Sequence, residues 1–214
     1  MNIDYFKKIN DSLGDCWDGK ASIIRMRADD YQWKQMEWPA FYFQYLVKLN
    51  NDNSFLIPGK TINNTTFDTH WLETDIPIDV KFHSNKNDKG QHNHIAPLND
   101  VEAIKIAIDT YGTFGLLIAC GDNEYDHTGE FKIWHDTLKE KKSKYVLEGE
   151  AIGRKSRMRK VFTKLTHLHY YQIDNIDVLS DGFQKGMKNS DGSSRKEKYT
   201  LNTLHVKPLY TITR

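Results

Sequence analysis

The stretch TDIPIDVKFHS, residues 74–84, alternates Ile76, Ile78, Val80 and Phe82 with Pro77, Asp79, Lys81 and His83. A period of two predicts a half-buried strand. Residues two apart on a strand share a face. Asp79 and Lys81 are therefore neighbours on the polar side, and Val80 turns into the core. An exposed ion pair on a strand stabilises it by at most about 1 kcal/mol, so the pairing calls for a reason other than stability.

The sequence on either side supplies a frame. TTFDTHWLE, residues 65–73, reads as the first strand of a hairpin, with a turn or bulge at TDIP, and carries Asp68. NKNDKGQHNH, 85–94, is a polar loop. NDVEAIKIAIDTY, 99–111, predicts a helix capped by Asn99 or Asp100, with Val101, Ile104 and Ile108 on its inner face. FGLLIAC, 114–120, is a continuous apolar run suited to a strand covered on both faces. Upstream, residues 29–49 read as helical: Asp29 or Asp30 opens the segment, and Trp33, Met36, Ala40, Phe43 and Val47 recur at steps of three or four. Pro39 kinks this helix or begins a second one. The order helix, strand, strand, helix, strand over 29–120 predicts an α/β (α+β) protein with a central mixed sheet flanked by helices.

Beyond residue 120 the signals are weaker. Residues 129–138 fit a strand or a short helix, 139–160 are dense in lysine and arginine, 180–197 read as a loop and the most disorder-prone stretch of the chain, and the C-terminal stretch reads as strand. The chain is taken as one domain, 1–214, with a core at about 29–120 and a C-terminal part at about 139–214.

With 214 residues and a net charge of +1, the protein has no general attraction for polyanions, so any nucleic-acid contact must come from local clustering. Cys16 and Cys120 have neither metal nor redox spacing and read as reduced thiols. No signal-peptide core and no membrane-spanning apolar run is evident, which predicts a cytoplasmic protein with no membrane partner.

Asp79 offers a carboxylate to a divalent cation, and the Val80 carbonyl is a further oxygen donor. Lys81 can orient or activate water, or steady a phosphate. A second acid is needed, and Asp68 on the preceding strand supplies it, with Glu73 and Asp75 as competitors. Asp68 together with the IDVK segment resembles the PD-(D/E)xK nuclease superfamily, which includes most type II restriction endonucleases. The first acid here follows Phe67, not proline; the nearby proline is Pro77.

The resemblance implies a restriction-endonuclease-like core and a magnesium-dependent endonuclease that hydrolyses double-stranded DNA at a short specific sequence, leaving a 5′-phosphate. Its Mg2+ would be held by Asp68, Asp79 and the Val80 carbonyl. Glu37, from the preceding helix, is the candidate additional ligand. A homodimer suits a palindromic site, and a cognate methyltransferase is the expected genetic neighbour. Alternatives are a structure-selective repair or mobile-element nuclease of the same fold and a non-catalytic nucleic-acid-binding protein.

For DNA contacts, GRKSRMRK at 153–160 supplies Arg154, Lys155, Arg157, Arg159 and Lys160, and the 180–197 loop adds Lys185 and Arg195. The contiguous HNH at 92–94 lacks the spacing of the nucleases named for those letters and reads as loop. His167 and His169 share a strand face without a third ligand and read as structural.

Overall fold

In the computed structural model, residues 1–51, 53–56, 67–140, 157–183, 185–187 and 193–214 are described. The N-terminal part forms α1 (Ile3–Ser12), β1 (Cys16–Asp18), α2 (Gly19–Ala28) and α3 (Trp38–Leu49). There follow β2 (Phe55–Leu56), β3 (Thr69–Trp71), β4 (Ile76–Ser84), β5 (Ile95–Asp100), α4 (Val101–Tyr111) and β6 (Phe114–Tyr125). The chain closes with α5 (Glu130–Leu138), β7 (Lys160–Ile173), β8 (Ser180–Phe183), β9 (Lys198–Asn202) and β10 (Tyr210–Thr213).

The main sheet runs β1-β7-β6-β4-β3-β2, and β10 also pairs with β7. It is mixed: β4 and β6 are parallel, and their neighbours are antiparallel. The parallel pair requires a crossover, and β5 and α4 provide it. A smaller sheet runs β5-β9-β8. The mixed α+β architecture with flanking helices is thus present. The C-terminal part belongs to it, because β7 lies at the heart of the main sheet.

Side-chain alternation on β6 explains why two cores form. Leu117 and Ala119 join Ile78, Val80 and the aromatic residues of α3 on one face. Leu116, Ile118 and Cys120 join Leu98, Ile104 and Leu201 on the other. The apolar run at 114–120 is buried on both sides, as its composition predicts.

Two boundaries differ from the sequence expectation. The helix expected over 29–49 is confined to 38–49. Asp29 is the C-terminal cap of α2, and Asp30 and Gln32 adopt positive φ, which ends helical geometry. Pro39 sits in the first turn of α3, where its missing N–H costs nothing. At the other boundary, Asp100 caps α4 by accepting the Ala103 N–H at 3.0 Å, and Gly112 closes it with φ of 74°.

Candidate active site

The β3–β4 hairpin builds the site. Thr69 pairs with Ile78, so continuing that antiparallel register places Asp68 opposite Asp79. β3 begins at Thr69, and the Val80 N–H, which would otherwise seek a ladder partner, donates to Asp68 Oδ2 at 2.9 Å. The N–H and C=O of one strand residue point to the same edge. The Val80 carbonyl therefore also emerges beyond the end of β3, where Gln44 Nε2 of α3 donates to it at 3.3 Å.

Asp79 and Lys81 share a face, as their spacing requires, but that face is not wet. Asp79 is 2 % exposed and the Lys81 side chain 26 %. In the parallel β4–β6 register Asp79 lies beside Leu116 and Lys81 beside Ile118, both in the second core. Lys81 Nζ is 2.8 Å from Asp79 Oδ2, an ion pair by distance. Its alignment falls short of a hydrogen bond, so Asp79 Oδ2 is a buried oxygen with no hydrogen-bond partner among the described residues. Lys81 Nζ instead donates to Asn99 Oδ1 at 3.3 Å.

This environment sets the charge states. Burial, reinforced by the Asp79 carboxylate within hydrogen-bonding reach, pushes the Asp68 carboxyl up to about 8. For Lys81, burial acts downward, but the Asp79 and Asp68 carboxylates outweigh it and the net shift is upward. Lys81 is therefore a firm cation at neutral pH. It can donate hydrogen bonds and neutralise charge.

Two carboxyls and a backbone carbonyl are oxygen donors of the kind that hard divalent cations take. Two carboxyls on adjoining strands repel each other in a buried place, one oxygen lacks a hydrogen-bond partner, and a backbone carbonyl opens at the same strand edge as Asp68. Magnesium is commonly held by one or two carboxylates, with water and substrate phosphate completing its shell. Among the described residues there is no larger cluster of His, Cys, Asp and Glu that could hold a metal ion. Asp75, a competitor for the first acid, lies in the hairpin turn with φ of 53°, beside His70 at 3.3 Å. Glu73 is exposed in the same turn.

Glu37 is elsewhere. It is the residue before α3, its carboxylate pairs with Lys160, and it stands two helical turns, about 10 Å, from Gln44. The α3 residue that reaches the site is Gln44, an isolated polar side chain within the apolar run AFYFQYLV, and that interruption was the available signal.

The expected DNA-contacting cluster is also redistributed. Arg154 and Lys155 lie outside the described residues. Arg157 is exposed. Arg159 is 6 % exposed, with Nη2 2.5 Å from Asp136 Oδ1 and Nη1 2.6 Å from His135 Nδ1, so it is a core residue and not a DNA contact. His135 Nε2 in turn donates to the Trp33 carbonyl at 2.9 Å, and burial brings its imidazole down to about 4. Lys160 is committed to Glu37. Lys185 is exposed, 3.9 Å from Glu197.

His167 and His169 stack on β7 with centroids 5.3 Å apart. His92 and His94 stack in the loop after β4.

No protein-family model, curated protein or solved structure matches the chain. Among the described residues, no helix is long and apolar enough to cross a membrane.

Proposed function

We propose that the protein is a magnesium-dependent endonuclease acting on double-stranded DNA, of the type II restriction class, with Asp68, Asp79 and Lys81 as its active site. The observation that carries this reading is the convergence of Asp68 and Asp79 at the end of β3, with Lys81 2.8 Å from Asp79, the Asp79 side chain buried and those of Asp68 and Lys81 partly buried. Burying two acids side by side is costly for a surface or scaffold role. It is well suited to receiving a cation.

Asp68, Asp79 and the Val80 carbonyl would hold the magnesium ion, which would supply positive charge to the phosphoryl group under attack. The chain's own groups do the rest. Asp68, held neutral by burial and by Asp79, would have to release its proton to solvent in order to serve as a ligand. Lys81, fixed by Asp79 and Asn99, donates to the attacking water or to a phosphate oxygen and holds it in line. Gln44 holds the Val80 carbonyl and so fixes the edge of β4 on which Asp68 is seated. Sequence-specific cutting by a homodimer, beside a cognate methyltransferase, completes the reading.

The test is incubation of mixed supercoiled plasmids with purified protein and magnesium. Discrete fragments are expected from the wild type. Asp79→Ala and Lys81→Ala, checked for folding by circular dichroism, should each lose at least about a hundredfold in rate while retaining DNA binding. Plasmids left intact by the folded wild type would refute the nuclease reading.

A further inference from the structure

β9 brings basic residues to this site from the smaller sheet. Lys198 stands opposite Asp100 in the β5–β9 pairing. The residue before Asp100 is Asn99, which accepts from the Lys81 ammonium. That register sets Lys198 within electrostatic reach of Lys81, Asp79, Asp100 and Arg195.

The surrounding basic residues divide into two kinds. Lys196 spends its charge on Glu102 at 3.3 Å and Asp100 at 3.7 Å, and Lys81 spends its own on Asp79. Lys198 and Arg195 have no acidic partner among the described residues, and Arg195 Nε is buried without a hydrogen-bond partner. Both side chains are half-buried. Burial and the Lys81 charge hold Lys198 below the usual lysine range. The Asp79 and Asp100 carboxylates offset part of the Lys198 charge without pairing with it, and two partly buried cations side by side favour a shared anion. Arginine offers a planar fork to phosphate oxygens, and lysine adds a compact charge beside it.

We propose that Arg195 and Lys198 form a second phosphate subsite, which grips a backbone phosphate of duplex DNA next to the one presented to Asp68, Asp79 and Lys81. The inference rests on the nuclease reading and adds to it the residues that set the DNA backbone in register with the metal-binding acids. Each phosphate contact contributes about 0.9 to the slope of log K against log salt concentration.

The experiment is fluorescence anisotropy with a labelled mixed-sequence duplex in EDTA, across about 50–200 mM salt, alongside plasmid cleavage in magnesium. The Arg195→Gln/Lys198→Gln double variant should flatten the salt slope by about 0.9, the share of the one phosphate the pair grips, and each single variant by part of that. Lys198→Arg should keep the wild-type slope, as should Lys7→Gln, which removes an exposed charge on α1. Should the double variant fail to fold, the single variants carry the same test. A wild type that cuts plasmid while the glutamine variants keep its slope overturns the subsite and leaves the nuclease reading standing. A wild type that neither binds nor cuts DNA overturns both.

Discussion

Replacing Asp68 by asparagine isolates the electrostatic cost built into the site. In the folded protein burial and the neighbouring Asp79 hold the Asp68 carboxyl up to about 8, against about 4 for an unfolded aspartate. Between those values the folded state keeps a proton that the unfolded chain has released. By linkage, folding stability therefore falls as pH rises through that window, and levels off above about 8. Each pH unit is worth about 1.4 kcal/mol, so the move from about pH 5 to pH 7 removes about 3 kcal/mol through this one group. Asparagine retains an acceptor for the Val80 N–H but carries no titrating proton. The charged and titrating groups facing Asp68 are Asp79, Lys81 and Tyr31, all present in both proteins.

His135 and His169, both brought down to about 4 by burial, act in the opposite sense: their contribution to stability grows as pH rises from about 4 to about 6.5. They are common to both proteins and cancel in the difference. Urea unfolding in EDTA at several pH values gives the two curves. The advantage of Asp68→Asn over the wild type should widen by about 3 kcal/mol between pH 5 and pH 7. A difference constant to within about 1 kcal/mol would refute the account of Asp68 as a carboxyl held neutral by burial and by Asp79.

Other outcomes follow from the same geometry. Arg159→Ala takes the buried partner from His135, while Asp136 keeps Lys132 at 2.9 Å and Lys139 at 3.5 Å, so urea unfolding should show a loss of about 1–3 kcal/mol, with the DNA salt slope unchanged once the protein is folded. Gly115 has no room for a side chain: a Cβ would stand 2.9 Å from Ile78 Cγ1 and from Tyr170 on the neighbouring strands. Gly115→Ala should therefore cost about 1–3 kcal/mol, measured by thermal melting.

The elements that local pattern dictates were legible in the sequence. The alternation in β4, the apolar run of β6 and the capped α4 follow from periodicity and from Asp100, and the hairpin spacing pointed to Asp68 opposite Asp79. What was not legible depends on distant parts of the chain. Asp79 lies in the interior because β5, β9 and α4 cover its face, and no pattern within residues 74–84 encodes that cover. Lys198 comes to the site through a strand pairing with Asp100 across almost a hundred residues of sequence. Glu37, a candidate ligand through the resemblance, and Arg159, read as a DNA contact from its basic cluster, found partners in Lys160 and Asp136, which meet them only in the folded protein.

The hairpin gives the site a dependence on loop length. Leu72, Glu73, Thr74 and Asp75 join β3 to β4, and their number fixes which residue faces which. Removing one of them would slide the pairing by a single position and send the Asp68 side chain to the opposite face of the sheet. The two acids would separate with neither of them mutated. Homologues that keep this chemistry should therefore keep the length of that turn and, at position 75, where φ is 53°, a residue such as Asp, Asn or Gly that adopts positive φ.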